Sequence, residues 1–412
     1  MGEEKKLKVT NKLAATVLSL SLLTVMAGAA VAPALGVIEQ YFAGESKLLV
    51  QMIISIPAVF IVITNLIFPG LCKHLKSKTL VMAGLILYTA GGCSAGLFNS
   101  IQAVLAARAL VGIGVGIVMP LSTGLIAYYF PKEKQEKMMG LSSAMNQMGG
   151  VIATLLAGLL ASVNWRASFL VYLMGLISIV LCAAFLPNHS MNISEPHMEK
   201  TAGNSGKTGS IKEFAPYIAA MFFLMMTFFI YPANFAIETT AAGIIPQKFI
   251  SVIMASMDLV AFFGGLAFYS IKKSMGHSTR LFAPVLFLAG YILLMIPGGW
   301  AGTLAGSFLI GFANGLGIPF IISSASQKAG KAAATTVLPL ISAALYLAQF
   351  LTPAILSGIT AVLGPVGVAH IPYLMASATA VIFLGCSAFA VKDDAKAAGS
   401  AAAQAGSETN AA

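Results

Sequence analysis

The sequence predicts an all-α membrane protein: twelve transmembrane helices in two pseudo-symmetric six-helix bundles. Three observations carry this. Of 412 residues, 58% are hydrophobic and only 9% are charged, against about a quarter charged in a soluble globular chain. So little charge cannot clothe a water-facing surface, which excludes ordinary soluble enzymes, nucleic-acid binders and disordered chains. The apolar residues gather into twelve runs, each near the ~20 residues a helix needs to cross the hydrocarbon core. The last six runs also repeat landmarks of the first six at one fixed offset.

In chain order, the runs lie near 12–38, 47–69, 79–98, 101–130, 138–163, 167–187, 214–238, 247–271, 280–297, 300–323, 332–360 and 366–391. The first follows a polar, basic start (Met1 to Lys12) and is longer than a signal-peptide core, so it reads as a retained span. Polar, Pro or Gly punctuation ends the others. Pro131-Lys132-Glu133-Lys134 closes the fourth and Lys272-Lys273-Ser274 the eighth. Two segments lack membrane character. Asn188 to Glu213 is rich in Ser, Gly, Asn and Lys, and 393–412 is an Ala/Gly/Ser tail expected to be disordered. The expected organisation is a bundle over 1–187, a cytoplasmic linker over 188–213, a second bundle over 214–392 and a cytoplasmic tail.

Basic residues fix the orientation. With the N-terminus inside, 20 of the 24 Lys and Arg fall on the cytoplasmic side. Only Lys47, Arg166 and Lys248 lie outside, and Arg108 sits within a span. This is the positive-inside asymmetry of a multi-pass protein, expected here in a plasma (inner) membrane with both termini cytoplasmic. It also accounts for the net charge of +10 without a nucleic-acid partner.

Other chemistries find little support. Cys72, Cys93, Cys182 and Cys386 lie far apart, with no CxxC or Cys/His cluster for a disulfide framework or a metal. Gly203-Asn204-Ser205-Gly206-Lys207-Thr208 approaches a phosphate-binding loop, but Thr201 stands where its first Gly belongs and no strand precedes it. Met1-Gly2 lacks Ser or Thr at position 6, so no myristoylation is expected. No nucleophile–base pair stands out. Neither enzyme activity nor a cofactor is expected.

Shifting the chain by 199 residues lays Pro33, Ala34, Ile38, Glu39, Ala43 and Gly44 on Pro232, Ala233, Ile237, Glu238, Ala242 and Gly243. The same shift lays Gly112, Gly116 and Pro120 on Gly311, Gly315 and Pro319. Six spans, a linker and six spans in the same orientation imply parallel repeats about an axis along the membrane normal, with a central cavity between them.

Several motifs bear a family resemblance. Arg108 followed by Gly112, Gly114 and Gly116, the Asn164-Trp165-Arg166-Ala167-Ser168-Phe169 start of span 6, and Ala32-Pro33-Ala34-Leu35 are similar to motifs of the major facilitator superfamily, the last to its drug/proton antiporters. The resemblance runs over roughly 10–392. It implies two six-helix bundles rocking about a central site, and a small-molecule substrate exchanged for protons. It also implies a role for Arg108 in proton coupling. The loop between spans 2 and 3 departs from the family's pattern. Gly70 and Lys78 keep the Gly and a basic charge, but His74 stands where an Asp is expected. The span 5 glycine motif is also eroded, keeping one matching Gly in Gly149-Gly150.

Ionisable groups inside a membrane are costly and mark function. Asp258 lies about a dozen residues into span 8, near the midplane. A low dielectric disfavours a charged carboxyl, so Asp258 is the leading candidate for proton exchange or for binding a cationic substrate. Arg108 comes next; a guanidinium cannot discharge and needs a carbonyl, a carboxylate or water. Glu39 and Glu238 are repeat mates near the outer ends of spans 1 and 7, read as rim residues or a titrating pair. Candidate cavity-lining residues are Gln51, Asn146, Gln147, Tyr231, Asn234, Asn314, Tyr346 and Gln349, because polar groups in a span need partners or water. Gly112, Gly116, Gly311 and Gly315 allow close helix packing. The expected function is proton-driven efflux of small amphipathic or drug-like molecules by a monomer in the lipid bilayer. The alternative is import or exchange of a small organic anion, with Arg108 as its ligand.

Overall fold

The computed structural model describes residues 11–187, 211–243, 245–296 and 299–388. The N-terminal ten residues, most of the expected linker with its glycine-rich stretch, and the expected tail lie outside the described residues. No strand occurs among the described residues.

Helix α1 covers Asn11–Ala29, and a 3-10 turn at Ala32–Ala34 leads into α2, Leu35–Tyr41. The sequence reading expected one unbroken span here. Pro33 explains the interruption: it lacks an N–H and its ring clashes with the carbonyl four residues back. Val31 N–H donates to Gly28 O at 3.2 Å, which leaves the Ala27 carbonyl without its helical donor. Helix α3, Lys47–His74, holds Pro57 and Pro69 in its interior. Pro57 in the same way leaves the Ile53 carbonyl, four residues back, without its helical donor.

Helices α4 (Ser77–Ala95), α5 (Ile101–Tyr129) and α6 (Lys132–Ala161) follow. Ser100 caps α5 by accepting from Ala103 N–H at 3.3 Å. Span 6 opens as a nine-residue 3-10 helix, Trp165–Leu173, before α7, Met174–Phe185. Arg166 ties this corner down by donating to Gly96 O at 3.0 Å and Phe98 O at 3.1 Å, just beyond the C-terminus of α4. Cations suit that position because the last carbonyls of a helix lack partners. Lys78 Nζ does the same for Ala183 O at the end of α7, at 2.7 Å.

The remaining helices are α8 (Ile211–Ala242), α9 (Gln247–Met275), α10 (Thr279–Met295), α11 (Gly299–Leu363) and α12 (Ile371–Ala388). Ten segments among the described residues are long and apolar enough to cross a membrane. The other two of the twelve expected spans fall on α4, of 19 residues, and α10, of 17 residues. A polar break was expected between spans 10 and 11. Instead, α11 is helical over 65 residues and contains two apolar segments, Gly299–Ala325 and Val337–Val366. The intervening sequence is Ala-rich without Pro, and Ala is the best helix former. Straight, α11 would reach about 98 Å, over three times the ~30 Å hydrocarbon core.

The described residues sort into two compact units. The first comprises 11–187 with Ile230–Leu259 and Gln349–Val362; the second comprises 211–229, Val260–Ala348 and 363–388. Helices α8, α9 and α11 therefore each contribute to both units.

Within each unit, one helix pair packs in the same way. A Cβ on Gly91 of α4 would lie 2.8 Å from Ala107 O and 3.1 Å from Val111 N in α5. A Cβ on Gly290 of α10 would lie 2.9 Å from Gly306 O and 3.3 Å from Ile310 N in α11. All three positions differ by 199, so the duplication read from the sequence recurs as a repeated contact. Gly91→Leu and Gly290→Leu should each destabilise the protein by about 1–3 kcal/mol through overpacking. Melting in detergent tests this, and an unchanged melting temperature would contradict so close an approach.

Candidate functional site

Arg108 is fully buried, with 0% exposure, in the first third of α5. Its fork reaches two main-chain carbonyls without helical donors, Ile53 O, freed by Pro57, and Ala27 O, freed where Val31 N–H turns to Gly28 O. Nε donates to Ile53 O at 2.7 Å and Nη2 to Ala27 O at 2.5 Å. Nη1 donates to the Tyr172 hydroxyl, and that hydroxyl donates in turn to Ala27 O at 2.7 Å. One planar group thus ties together α1, α3, α5 and the 3-10 segment that opens span 6. Five fixed N–H donors make Arg suited to this and Lys not.

Asp258 projects from the middle of α9 and accepts a hydrogen bond from Thr154 Oγ1 of α6 at 3.0 Å. The α6 face toward α9 carries small residues at four-residue spacing. A Cβ on Gly150 would be 4.0 Å from Asp258 Oδ2, and Gly158 lies against Ser251. This row lets α6 approach closely enough for a short Thr side chain to reach the carboxylate. Asp258 is half-buried by the surrounding side chains.

At the end of the first unit away from Asn11, charged and amide groups join α2 and α3 to α8. Lys47 Nζ and Glu238 Oε1 form an ion pair at 2.8 Å, with exposures of 42% and 26%. Glu39 lies within the electrostatic reach of both, so the repeat-mate glutamates share one cation. Deeper in, Gln51 Nε2 donates to Asn234 Oδ1 at 2.5 Å, and these residues are 2% and 0% exposed. Gln247 of α9 donates to Pro33 O at 2.7 Å. An exposed ion pair contributes about 0–1 kcal/mol, whereas orphaning a buried amide costs about 1–3 kcal/mol. Glu238→Gln should therefore barely change the melting temperature, while Asn234→Leu lowers it clearly. Gln51→Leu combined with Asn234→Leu should cost less than the sum of the single changes; strict additivity would deny the pairing.

The other candidates are placed as follows. Asn146 accepts from Thr24 Oγ1 at 2.6 Å, linking α6 to α1, and Gln147 is half-buried beside it. Gln349 Nε2 reaches Ile54 O at 3.4 Å. Tyr231 is fully buried and stacks on Phe235 with ring centroids 4.5 Å apart. Asn314 and Tyr346 belong to the second unit and are half-buried. In the loop motif, His74 is exposed and Gly70 faces open space. Gly112 packs on the Pro57 carbonyl, Gly116 on Thr64 and Gly315 on the Ala261 carbonyl; Gly311 is buried within α11. The sequence reading did not single out Tyr172, Thr154, Thr24, Gln247 or the pairing of Lys47. One signal for the Arg108 site was available, since Pro57 within a span announces that the Ile53 carbonyl needs a donor. Among the described residues no cluster of His, Cys, Asp and Glu could hold a metal.

A multi-pass helical membrane protein with a helix-pair contact repeated 199 residues on, and with ionisable groups in its apolar helices, fits a transporter family. The pattern of the Major Facilitator Superfamily matches residues 17–353, and the chain belongs to that family. Relatives include the riboflavin transporter RibZ of Clostridioides difficile (strain 630), 23% identical over 140 residues, or 34% of this chain and 31% of that one. The multidrug transporter protein MdtP of Bacillus subtilis (strain 168) is 29% identical over 115 residues, 27% of this chain and 21% of that one. The chain thus matches less than a third of either relative's length. In fold it is similar to a bacterial homolog of the human lysosomal transporter Spinster in an inward-facing, occupied conformation. That similarity has a TM-score of 0.72 at 16% identity and covers 93% of this chain and 96% of that one.

Proposed function

We propose that the chain is a secondary active transporter that works by alternating access and exports small amphipathic or drug-like molecules in exchange for protons. The observation that carries this reading is the contact between Asp258 and Thr154. It joins a helix of the first six spans to one of the second six, and one partner is a titratable group at membrane depth. Gaining or losing a proton there alters a contact between the proposed halves, which is how a ligand biases a conformational equilibrium. The halves are taken as 1–187 and 214–392, joined by the linker 188–213 and followed by the tail. Both termini would be cytoplasmic in a plasma membrane, as the basic loops favour. A monomer suffices, since both halves lie in one chain.

The ion pair and amide pair joining α2 and α3 to α8 support a state closed at the outer end. The relatives named as riboflavin and multidrug transporters support a small organic cargo. Import of an organic anion held by Arg108 is disfavoured, because that fork already serves two carbonyls and a hydroxyl.

Reconstitution in liposomes with an imposed pH gradient tests the reading, using a panel of riboflavin, cationic dyes and small organic acids. Accumulation of a panel compound with protons moving the opposite way is expected. Co-transport of an acid with protons would favour import, and transport indifferent to the gradient would remove proton coupling.

A further inference from the structure

Of the polar groups that join α2 and α3 to α8 and α9 within the first unit, one is left over. Gln51 and Asn234 answer each other, Gln247 holds Pro33 O, and Lys47 holds Glu238. Glu39, the repeat mate of Glu238, is half-buried and takes neither a hydrogen bond nor an ion pair among the described residues. It is nevertheless within electrostatic reach of both Lys47 and Glu238. Two carboxylates facing one ammonium repel each other, and that repulsion works against the closed arrangement.

Chain connectivity gives the leftover carboxylate a use. Helix α2 ends at Tyr41 and α3 begins at Lys47. The corner between them is tied by Glu45 N–H donating to Phe42 O at 2.8 Å and Leu49 N–H donating to Ser46 O at 2.9 Å. Glu39 and Lys47 are eight positions apart on this hairpin, so they stay neighbours whatever α8 does. Glu238 is 191 positions from Lys47, on α8. Only packing and side chains hold it there: a Cβ on Gly36 would lie 2.5 Å from Ala236 O, so α2 rests on the α8 backbone one turn before Glu39. If α8 parts from the hairpin, the Lys47–Glu238 pair breaks, and Glu39 is the half-buried carboxylate that remains beside the cation. Lysine suits such an exchange, being a compact ammonium on a flexible stem with no fixed fork to realign.

We propose that Glu39 is a positioning residue of the transport cycle, a receiving carboxylate that takes Lys47 from Glu238 when this end opens and returns it on closing. The exchange offsets the loss of the closing pair; it rests on the alternating-access reading. Spin labels carried on ketone side chains at Ser46 and Ala241, both exposed, leave the four cysteines in place and measure the opening by pulsed electron resonance on the full chain in lipid nanodiscs. The wild type should show a short and a long distance. Glu39→Gln should shift their balance toward the short one and Glu238→Gln toward the long one, each by about two- to fivefold, the range of an exposed ion pair. Lys47→Glu combined with Glu238→Lys keeps an ion pair but puts both carboxylates on the hairpin, leaving nothing on it to receive the cation. That double variant should favour the short distance at least as much as Glu39→Gln does, whereas a plain ion pair would give the wild-type balance and overturn the exchange. Glu45→Gln, which removes the same charge from the exposed corner, should shift the balance less; an equal shift would reduce the effect to net charge and overturn the exchange. Two distances whose weights Glu39→Gln leaves unchanged overturn the exchange alone. A single distance shared by the wild type and every variant overturns both the exchange and the alternating-access reading.

Discussion

Replacing Asp258 by Asn is expected to abolish accumulation driven by a pH gradient while leaving substrate binding and exchange intact. Asn has nearly the shape of Asp, and its side-chain oxygen can still accept the Thr154 hydrogen bond now measured at 3.0 Å. The α6–α9 packing through Gly150 and Gly158 should therefore survive. What disappears is the capacity to bind and release a proton. Gradient-driven transport should fall by about a hundredfold or more, the scale of loss when a positioned proton-transfer group is removed. Residual exchange should lose its dependence on pH. Liposome uptake and substrate counterflow, measured on one preparation, separate the two effects. Gradient-driven accumulation at wild-type level would remove Asp258 from the coupling mechanism.

Arg108→Lys should behave differently, failing in stability as well as transport. An ammonium keeps the charge but concentrates its donors on one nitrogen, and it cannot span Ile53 O, Ala27 O and the Tyr172 hydroxyl together. A buried carbonyl left unpaired costs about 1–3 kcal/mol; Ala27 O keeps the Tyr172 hydroxyl, so losing the donor to Ile53 O would lower stability by about 1–3 kcal/mol. Tyr172→Phe should cost less, since it removes one hydroxyl and leaves Arg108 two carbonyl acceptors. Melting in detergent measures the first effect and liposome transport the second. A stable but inactive Arg108→Lys protein would shift its role from anchoring to chemistry, and a wild-type melting temperature would refute the three-way anchor.

Much of the fold is legible in sequence because a membrane imposes length and apolarity on each span, and a single offset exposes the duplication. Asp258 and Arg108 stand out for the same reason: a charge in an apolar run is costly to keep. Pairing across the chain is far less legible. Lys47 looked like one of three basic residues left outside, yet it binds Glu238, 191 positions away. Thr154 is an ordinary threonine until α9 places a carboxylate against it. The boundary between spans 10 and 11 falls where it was expected, between Ala325 and Val337, but the helix runs through it although Lys328 and Lys331 suggested a loop. Polar side chains at a membrane surface do not stop a helix, and the surrounding alanines favour one.

The clasp on the Ile53 and Ala27 carbonyls has a consequence for what the membrane retains. Among the described residues no carboxylate forms an ion pair with Arg108, so a permanent cation sits about 10 Å along α5 from Ile101. At an effective dielectric of about 20, a second unit cation 10 Å away is disfavoured by about 1.7 kcal/mol, more than tenfold in occupancy. Hydronium and metal cations meet that barrier alike. The arginine that holds four segments together would thus also act as an electrostatic plug, limiting passive cation leak through the first half of the protein.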